Sequence, residues 1–223
     1  MTAEQRALAE VRSGQTLGLG TGRAAERFVR RLAERVREGL DVRGVPTSDT
    51  TATLAGELGI PLVDLEAAPT LDLAVDGADE VDPRGDLIKG YGGALLREKV
   101  VASCAARVWI LVGAEKCVPH LGARGRLPLE VLPFALGPVL RRLEAMACPA
   151  TVRTRSDRPL MSDNGNVLVD CAMSKIEDPR ALDQQLRAIP GVLETGLFLG
   201  MADVIVIDRG GESDVRRVQR SRR

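Results

Sequence analysis

Between Leu71 and Lys99 the sequence reads LDLAVDGADEVDPRGDLIKGYGGALLREK. Asp76, Asp79, Glu80 and Asp82 supply carboxylates there, Lys89 an ammonium and Glu98 one more carboxylate. Such a set gathers the groups a proton shuttle needs. Glu98 is the candidate base. On a helix starting near Ala94, at about 100° per residue, Ala94, Ala102 and Ala105 lie within about 40° of Glu98, flanked by Leu95 and Val101. Leu96, Val100 and Cys104 form the opposite face. Burial on a small apolar face raises a carboxyl pKa, while the helix N-terminus and nearby lysines lower it. The competing reading is a solvated helix face that happens to carry alanines. His120 is the only histidine, between Pro119 and Leu121 with no nucleophile motif nearby, so a carboxylate must do any acid–base work. Of 31 basic residues only Lys89, Lys99, Lys116 and Lys175 are lysines, and three of the four fall between 89 and 116. That clustering fits lysines retained where a compact charge is needed and an arginine would not serve.

The elements that must position these groups follow from periodicity. Leu71, Leu73 and Val75 alternate with Asp72 and Ala74, a half-buried strand that delivers Asp76 to its carboxyl end, where open α/β sheets bind ligands. Gly77 and Gly85 mark irregular backbone, and Leu87-Ile88 leads into Lys89-Gly90-Tyr91-Gly92-Gly93. Upstream, a short helix Ala3–Val11 precedes strand Gln15–Leu19 and the turn Gly18-Leu19-Gly20-Thr21-Gly22. A helix from about Arg23 to Glu38 buries Ala25, Phe28, Val29, Leu32 and Val36. Strand, glycine turn and helix N-terminus point backbone N–H groups at a phosphate. The dinucleotide version needs a third glycine later than this turn has it.

Asp41–Val45 and Gly59–Leu65 read as further strands, with Thr47, Ser48, Thr50 and Thr51 between them and Thr47 or Ser48 as a helix cap. Helix Ala94–Arg107 leads to strand Val108–Val112 and then to Lys116. Alternation of this kind predicts a Rossmann-like parallel α/β sheet. From Gly122 the order changes to strand Leu129–Leu132, helix Leu136–Met146, strand Ala150–Thr154, turn Ser162–Asn166, strand Val167–Cys171, helix Pro179–Ile189 and strand Val192–Leu199. This βαββαβ order predicts an inserted ferredoxin-like α+β small domain over 126–201, with 1–125 and 202–223 forming the α/β domain. Ala202–Ile207 would return to the large sheet. The basic end, with Arg216, Arg217, Arg220, Arg222 and Arg223, reads as a disordered tail.

Composition limits the alternatives. The net charge is zero and only 2% of residues are aromatic, which argues against a nucleic-acid surface. Cys104, Cys117, Cys148 and Cys171 make no zinc spacing and no CxxC pair, as expected for reduced cytoplasmic thiols. No signal peptide and no apolar run of about 18–20 residues is present, so no membrane span is expected. The acidic cluster lacks an EF-hand pattern and sits with a lysine, so neither a metal nor a cofactor is expected.

DGADE followed by IKG-x-GGALLREK resembles the A-type ribose-5-phosphate isomerase family. The likeness extends to GLGTG at 18–22, VPTSDTT at 45–51, GIPLVDL at 59–65, SDNGN at 162–166 and IPGVLETGLF at 189–198. The resemblance implies interconversion of D-ribose 5-phosphate and D-ribulose 5-phosphate through an enediolate. It implies Glu98 as base, Lys89 stabilising oxygen charge, and Asp76 and Asp79 on the hydroxyls. Substrate contacts would come from Thr21, Gly22, Arg23 and Ala24 at the phosphate, Gly77 and Ala78, Gly90, Tyr91 and Gly92, and Lys116. It also implies a homodimer or homotetramer. Three departures stand out. Arg23-Ala24 replaces two family hydroxyls, Tyr91 replaces a glycine, and a phosphate-facing lysine of the family's longer N-terminal helix has no match here. Two other classes remain open: a sugar-phosphate-binding protein without turnover, and a related-fold CoA transferase using a glutamate nucleophile.

Overall fold

Strand–helix alternation produces a six-stranded sheet in the computed structural model, which describes residues 1–219. In chain order the elements are α1 (Ala3–Leu8), β1 (Gln15–Leu19), α2 (Arg23–Arg37), β2 (Val42–Pro46), α3 (Asp49–Glu57), β3 (Leu73–Asp76), β4 (Glu80–Val81), β5 (Leu87–Ile88), α4 (Leu95–Cys104) and β6 (Val108–Gly113). There follow β7 (Arg126–Val131), α5 (Leu136–Ala145), β8 (Ala150–Val152), β9 (Thr154–Arg155), β10 (Arg158–Pro159), β11 (Val167–Ala172), α6 (Pro179–Arg187), β12 (Val192–Thr195), β13 (Leu197–Phe198), β14 (Val204–Asp208) and β15 (Ser213–Arg217).

The chain divides into two compact units. The first holds Met1–Ala78, Arg97–Cys117 and the described residues from Gly200 on; the second holds Asp79–Leu96 and Val118–Leu199. In the first, the sheet runs β15-β14-β6-β3-β1-β2, with parallel pairing from β14 to β2 and β15 antiparallel at the edge. Helix α2 supplies its core face. Ala25, Phe28, Val29, Leu32 and Ala33 recur at helical spacing and are all fully buried, against Leu17, Leu19, Leu73 and Val75 of the strands. Thr2 closes α1 with a capping box, its hydroxyl accepting from the Gln5 N–H. Burial pushes the carboxyl of Glu4, on α1, upward, but hydrogen bonds from the Arg27 guanidinium, 2.5 Å away on α2, from the backbone and from Thr2 together outweigh this and hold it below its ordinary value.

In the second unit, β7-α5-β8-β11-α6-β12 forms an antiparallel sheet of order β12-β7-β11-β8, the ferredoxin-like arrangement. Its core is Leu127, Leu129 and Val131 of β7 with Val139, Leu143, Val169, Cys171 and Leu186. A separate three-stranded sheet, β13-β5-β4, carries Lys89 at its end.

Three expectations need correction. Gly59–Leu65 is not a strand: only Leu62 makes an isolated bridge to Gly44, because Pro61 has no N–H to continue a ladder. The segment Val192–Leu199 is not one strand either. At Gly196 the chain leaves β7, where the Gly196 N–H donates to Pro128, and joins β5, where the Gly196 carbonyl accepts from Lys89. The end of the chain is not a loose tail up to Arg217, since β15 pairs with β14 over five residues and Ser213 donates to the Met1 carbonyl. Arg220, Arg222 and Arg223 lie outside the described residues.

Phe28 fills the centre of the first core without any exposed surface. Phe28→Ala is expected to lower unfolding free energy by about 3–5 kcal/mol in urea denaturation, with the wild-type slope retained.

Candidate active site

Three adjacent parallel strands, β6-β3-β1, end on the same edge of the first sheet. After β1 comes Gly20-Thr21-Gly22, after β3 Asp76-Gly77-Ala78, and after β6 the short turn Ala114–Lys116. The Asp76 Oδ1 accepts from the Thr21 N–H at 3.1 Å and from the Gly77 N–H at 2.7 Å, so one carboxylate oxygen ties two strand ends together. The side chain is buried. Gly20 is required for this approach, because a Cβ there would stand 2.6 Å from the Asp76 Cα.

Gly22 has φ +97°, a conformation that costs glycine little, and sits at the N-terminus of α2 with no side chain capping it. No side chain caps the first N–H groups of α2, and an uncapped helix N-terminus of this kind suits an anion. Arg23 is exposed and Ala24 half-buried at this end. The turn is held by a hydroxyl cluster that the sequence motifs pointed to only in part. Thr21 Oγ1 lies 2.7 Å from Thr47 Oγ1 and donates to Ser48 Oγ at 2.8 Å, while the Thr51 hydroxyl donates to the Gly20 carbonyl at 2.9 Å. Ser48 also caps α3, accepting from the Thr51 N–H. Lys116 is half-buried on its turn.

Glu98 sits on α4, and most of the expected face is buried: Leu95, Glu98, Val101, Ala102 and Ala105 are all at least nine-tenths covered, whereas Ala94, just before the helix, is half-buried and Val100 on the opposite face is exposed. Glu98 is 5% exposed, which excludes the solvated alternative. The helix stops at Cys104 rather than at Arg107, because the Cys104 carbonyl accepts from Leu71 and the Ala106 N–H donates back to the Leu71 carbonyl. Arg97 pairs with Asp49 of α3 at 2.7 Å and tethers α4 from its outer side.

In the second unit, Lys89 is 3% exposed at the end of β5, its Nζ 5.5 Å from the centroid of the Phe198 ring. The Asp79 N–H donates to the Ile88 carbonyl, and Asp79 Oδ2 accepts from the Tyr91 N–H at 2.9 Å. Asp79 and the loop 89–91 thus form one structure. Gly90 to Gly93 is a tight turn, closed by Gly93 N–H to the Gly90 carbonyl at 3.0 Å. The bulk of Tyr91 is directed onto Arg126, whose guanidinium lies 3.9 Å from the ring centroid, and the Tyr91 hydroxyl donates to the Arg126 carbonyl. Glu80, in contrast, is structural. It is wholly buried and its two oxygens accept from the Gly122 and Arg124 N–H groups at 2.7 Å each. Asp82 closes its own turn on the Arg84 and Asp86 N–H groups.

This is an α/β sheet protein with an uncapped helix N-terminus after β1 and a buried carboxylate at the end of β3, and with a ferredoxin-like unit beside them in sequence. Residues 43–212 match the family described as ribose 5-phosphate isomerase A (phosphoriboisomerase A). The chain is 52% identical over 208 residues to the ribose-5-phosphate isomerase A of Roseiflexus sp. (strain RS-1), covering 92% of this chain and 89% of that one. It is also similar to two solved structures. The ribose 5-phosphate isomerase A of Methanocaldococcus jannaschii is 37% identical, with a TM-score of 0.92 and coverage of 97% of this chain and 96% of that one. A D-ribose-5-phosphate isomerase in complex with phospho-erythronic acid is 36% identical, with a TM-score of 0.93 and coverage of 96% of both chains. The chain belongs to the ribose-5-phosphate isomerase A family.

Two predictions come from these contacts. Burial, together with the negative charges of Glu80 and Asp79, pushes the Tyr91 phenol from its ordinary 10.0 up to about 12. Tyr91 is the only tyrosine, so tyrosinate absorbance of the folded protein should titrate with a midpoint near 12. Its contribution to stability is full below pH 10 and lost as pH rises from 10 to about 12, a loss that Tyr91→Phe removes. Gly20→Ala should destabilise by about 1–3 kcal/mol in thermal melting, since both the buried, hydrogen-bonded Asp76 carboxylate and the Asp76 backbone block the added methyl.

Proposed function

We propose that this protein interconverts D-ribose 5-phosphate and D-ribulose 5-phosphate through an enediolate, with Glu98 as the base that carries the proton between the two carbons. The family match carries this reading: it spans residues 43–212 and so includes Asp76, Asp79, Lys89 and Glu98. The depth of Glu98 supports its role, because a carboxylate shielded from bulk water can return the proton it has taken to the neighbouring carbon, losing it to solvent in only a fraction of turnovers.

Lys89 stabilises the negative charge that develops on the substrate oxygens. Asp76 and Asp79 bind hydroxyls and assist ring opening and proton movement between oxygens. The uncapped end of α2 holds the phosphate through the backbone N–H groups of Gly22, Arg23 and Ala24 next to Thr21, whose own N–H is held by Asp76, with the Arg23 and Lys116 side chains adding charge. Gly77, Ala78, Gly90, Tyr91 and Gly92 line the sugar. The Gly92 N–H makes no hydrogen bond among the described residues, which suits a donor to a substrate oxygen. The phospho-erythronic acid in the related structure is a phosphorylated sugar acid, of the same chemical class as the substrate proposed here. The protein works as a homodimer or homotetramer in the cytoplasm; among the described residues no helix is long and apolar enough to cross a membrane.

A coupled isomerase assay on ribose 5-phosphate tests the reading. Glu98→Gln should cut kcat by about 10²–10⁴-fold while KM stays close to the native value. A Glu98→Gln variant with native kcat would remove Glu98 from the mechanism.

A further inference from the structure

The loop from Lys89 to Gly93 carries a lysine, the amide that holds Asp79 and the free Gly92 donor, so its peptide planes decide where three groups point. Its grip comes from outside the loop. Arg153, in the link between β8 and β9, sends one nitrogen, Nη1, to both the Gly90 and Tyr91 carbonyls at 3.0 Å each. The rest of the guanidinium is fixed by Asp170 of β11, which accepts from Nε at 3.0 Å and from Nη2 at 2.6 Å. Both side chains are 12% exposed. Arg126, which also approaches Asp170 at 3.5 Å, covers the Tyr91 ring.

A trans peptide holds its C=O and N–H pointing in opposite directions. Fixing the Gly90 carbonyl therefore fixes the Tyr91 N–H, and that N–H donates to Asp79 Oδ2. A relay thus runs from Asp170 through Arg153 and one peptide plane to the Asp79 carboxylate. We propose that Arg153 is a positioning residue for the isomerase reaction, a clamp that sets the orientation of Asp79 through the Gly90–Tyr91 peptide. This rests on the functional reading above. The planar fork is essential, since a lysine offers no rigid geometry able to bind Asp170 bidentately and still reach two carbonyls.

The proposal is tested by a double-mutant cycle between Arg153→Met and Asp79→Asn, read as kcat and KM on ribose 5-phosphate beside the native protein. Arg153→Met should lower kcat about 10²-fold, the scale of loss when a group is misplaced by about 1 Å, with KM little changed. Added to Asp79→Asn it should cost almost nothing more, because the group it orients is already lost. Arg153→Lys, which keeps the charge opposite Asp170, should show the same pattern and carries the cycle if Arg153→Met does not melt cooperatively. Native kcat in both Arg153 variants, or losses that multiply across the cycle, would overturn the clamp while leaving the isomerase reading intact. An inactive native protein would overturn both.

Discussion

A helix can present a carboxylate from inside a protein only if its backbone lies close to whatever it packs on. Here that closeness comes from small residues on the sheet. Gly18 of β1 pairs with Ala74 of β3, and a Cβ on Gly18 would stand 2.5 Å from Val101 Cγ1 and 2.9 Å from the Ala74 Cβ. Helix α4 is thus seated, through Val101, on a part of the sheet without bulk. Ala102 and Ala105 extend the same small surface, and Glu98, one turn before Val101 and Ala102, is carried into the covered layer with them. Burying a carboxylate costs free energy, and this fold sustains the cost because close-packed aliphatic residues around it supply the stability.

The strand ends impose a second constraint, on backbone rather than side chains. Asp76 binds the turns after β1 and β3 to each other, and the hydroxyls of Thr21, Thr47, Ser48 and Thr51 bind the first of these to the start of α3. The end of α2 is consequently rigid although no side chain caps it. The main-chain N–H groups at this helix end are oriented by the tether of the turn to Asp76 and Thr51, whatever side chains stand at Arg23-Ala24.

The sequence was most informative where spacing and packing coincide. The face of α4, the inner face of α2 and the order of the ferredoxin-like unit all follow from periodicity, and the structure has them where periodicity puts them. It was least informative where the backbone itself is the partner. Gly59–Leu65 is apolar enough to read as a strand, yet Pro61 interrupts the ladder. Val192–Leu199 is continuous in hydrophobicity, but the chain exchanges β7 for β5 at Gly196, a change that leaves no trace in side-chain pattern. Strand β15 exposes most of its residues at a sheet edge, so a polar and basic sequence hides it. Arg153 and the structural role of Glu80 escaped notice for a related reason. Their partners are carbonyls and N–H groups of distant loops, which every residue type can offer.

The central claim is that the buried carboxylate of Glu98 removes and returns a carbon-bound proton. Proton magnetic resonance of ribose 5-phosphate in deuterium oxide addresses it directly, because a proton passing through a carboxylate base exchanges with solvent over many turnovers. The native protein should replace the proton on the carbon next to the aldehyde by deuterium, and Glu98→Gln should leave it in place while still binding the sugar phosphate. Deuterium uptake at the native rate in Glu98→Gln would contradict the account.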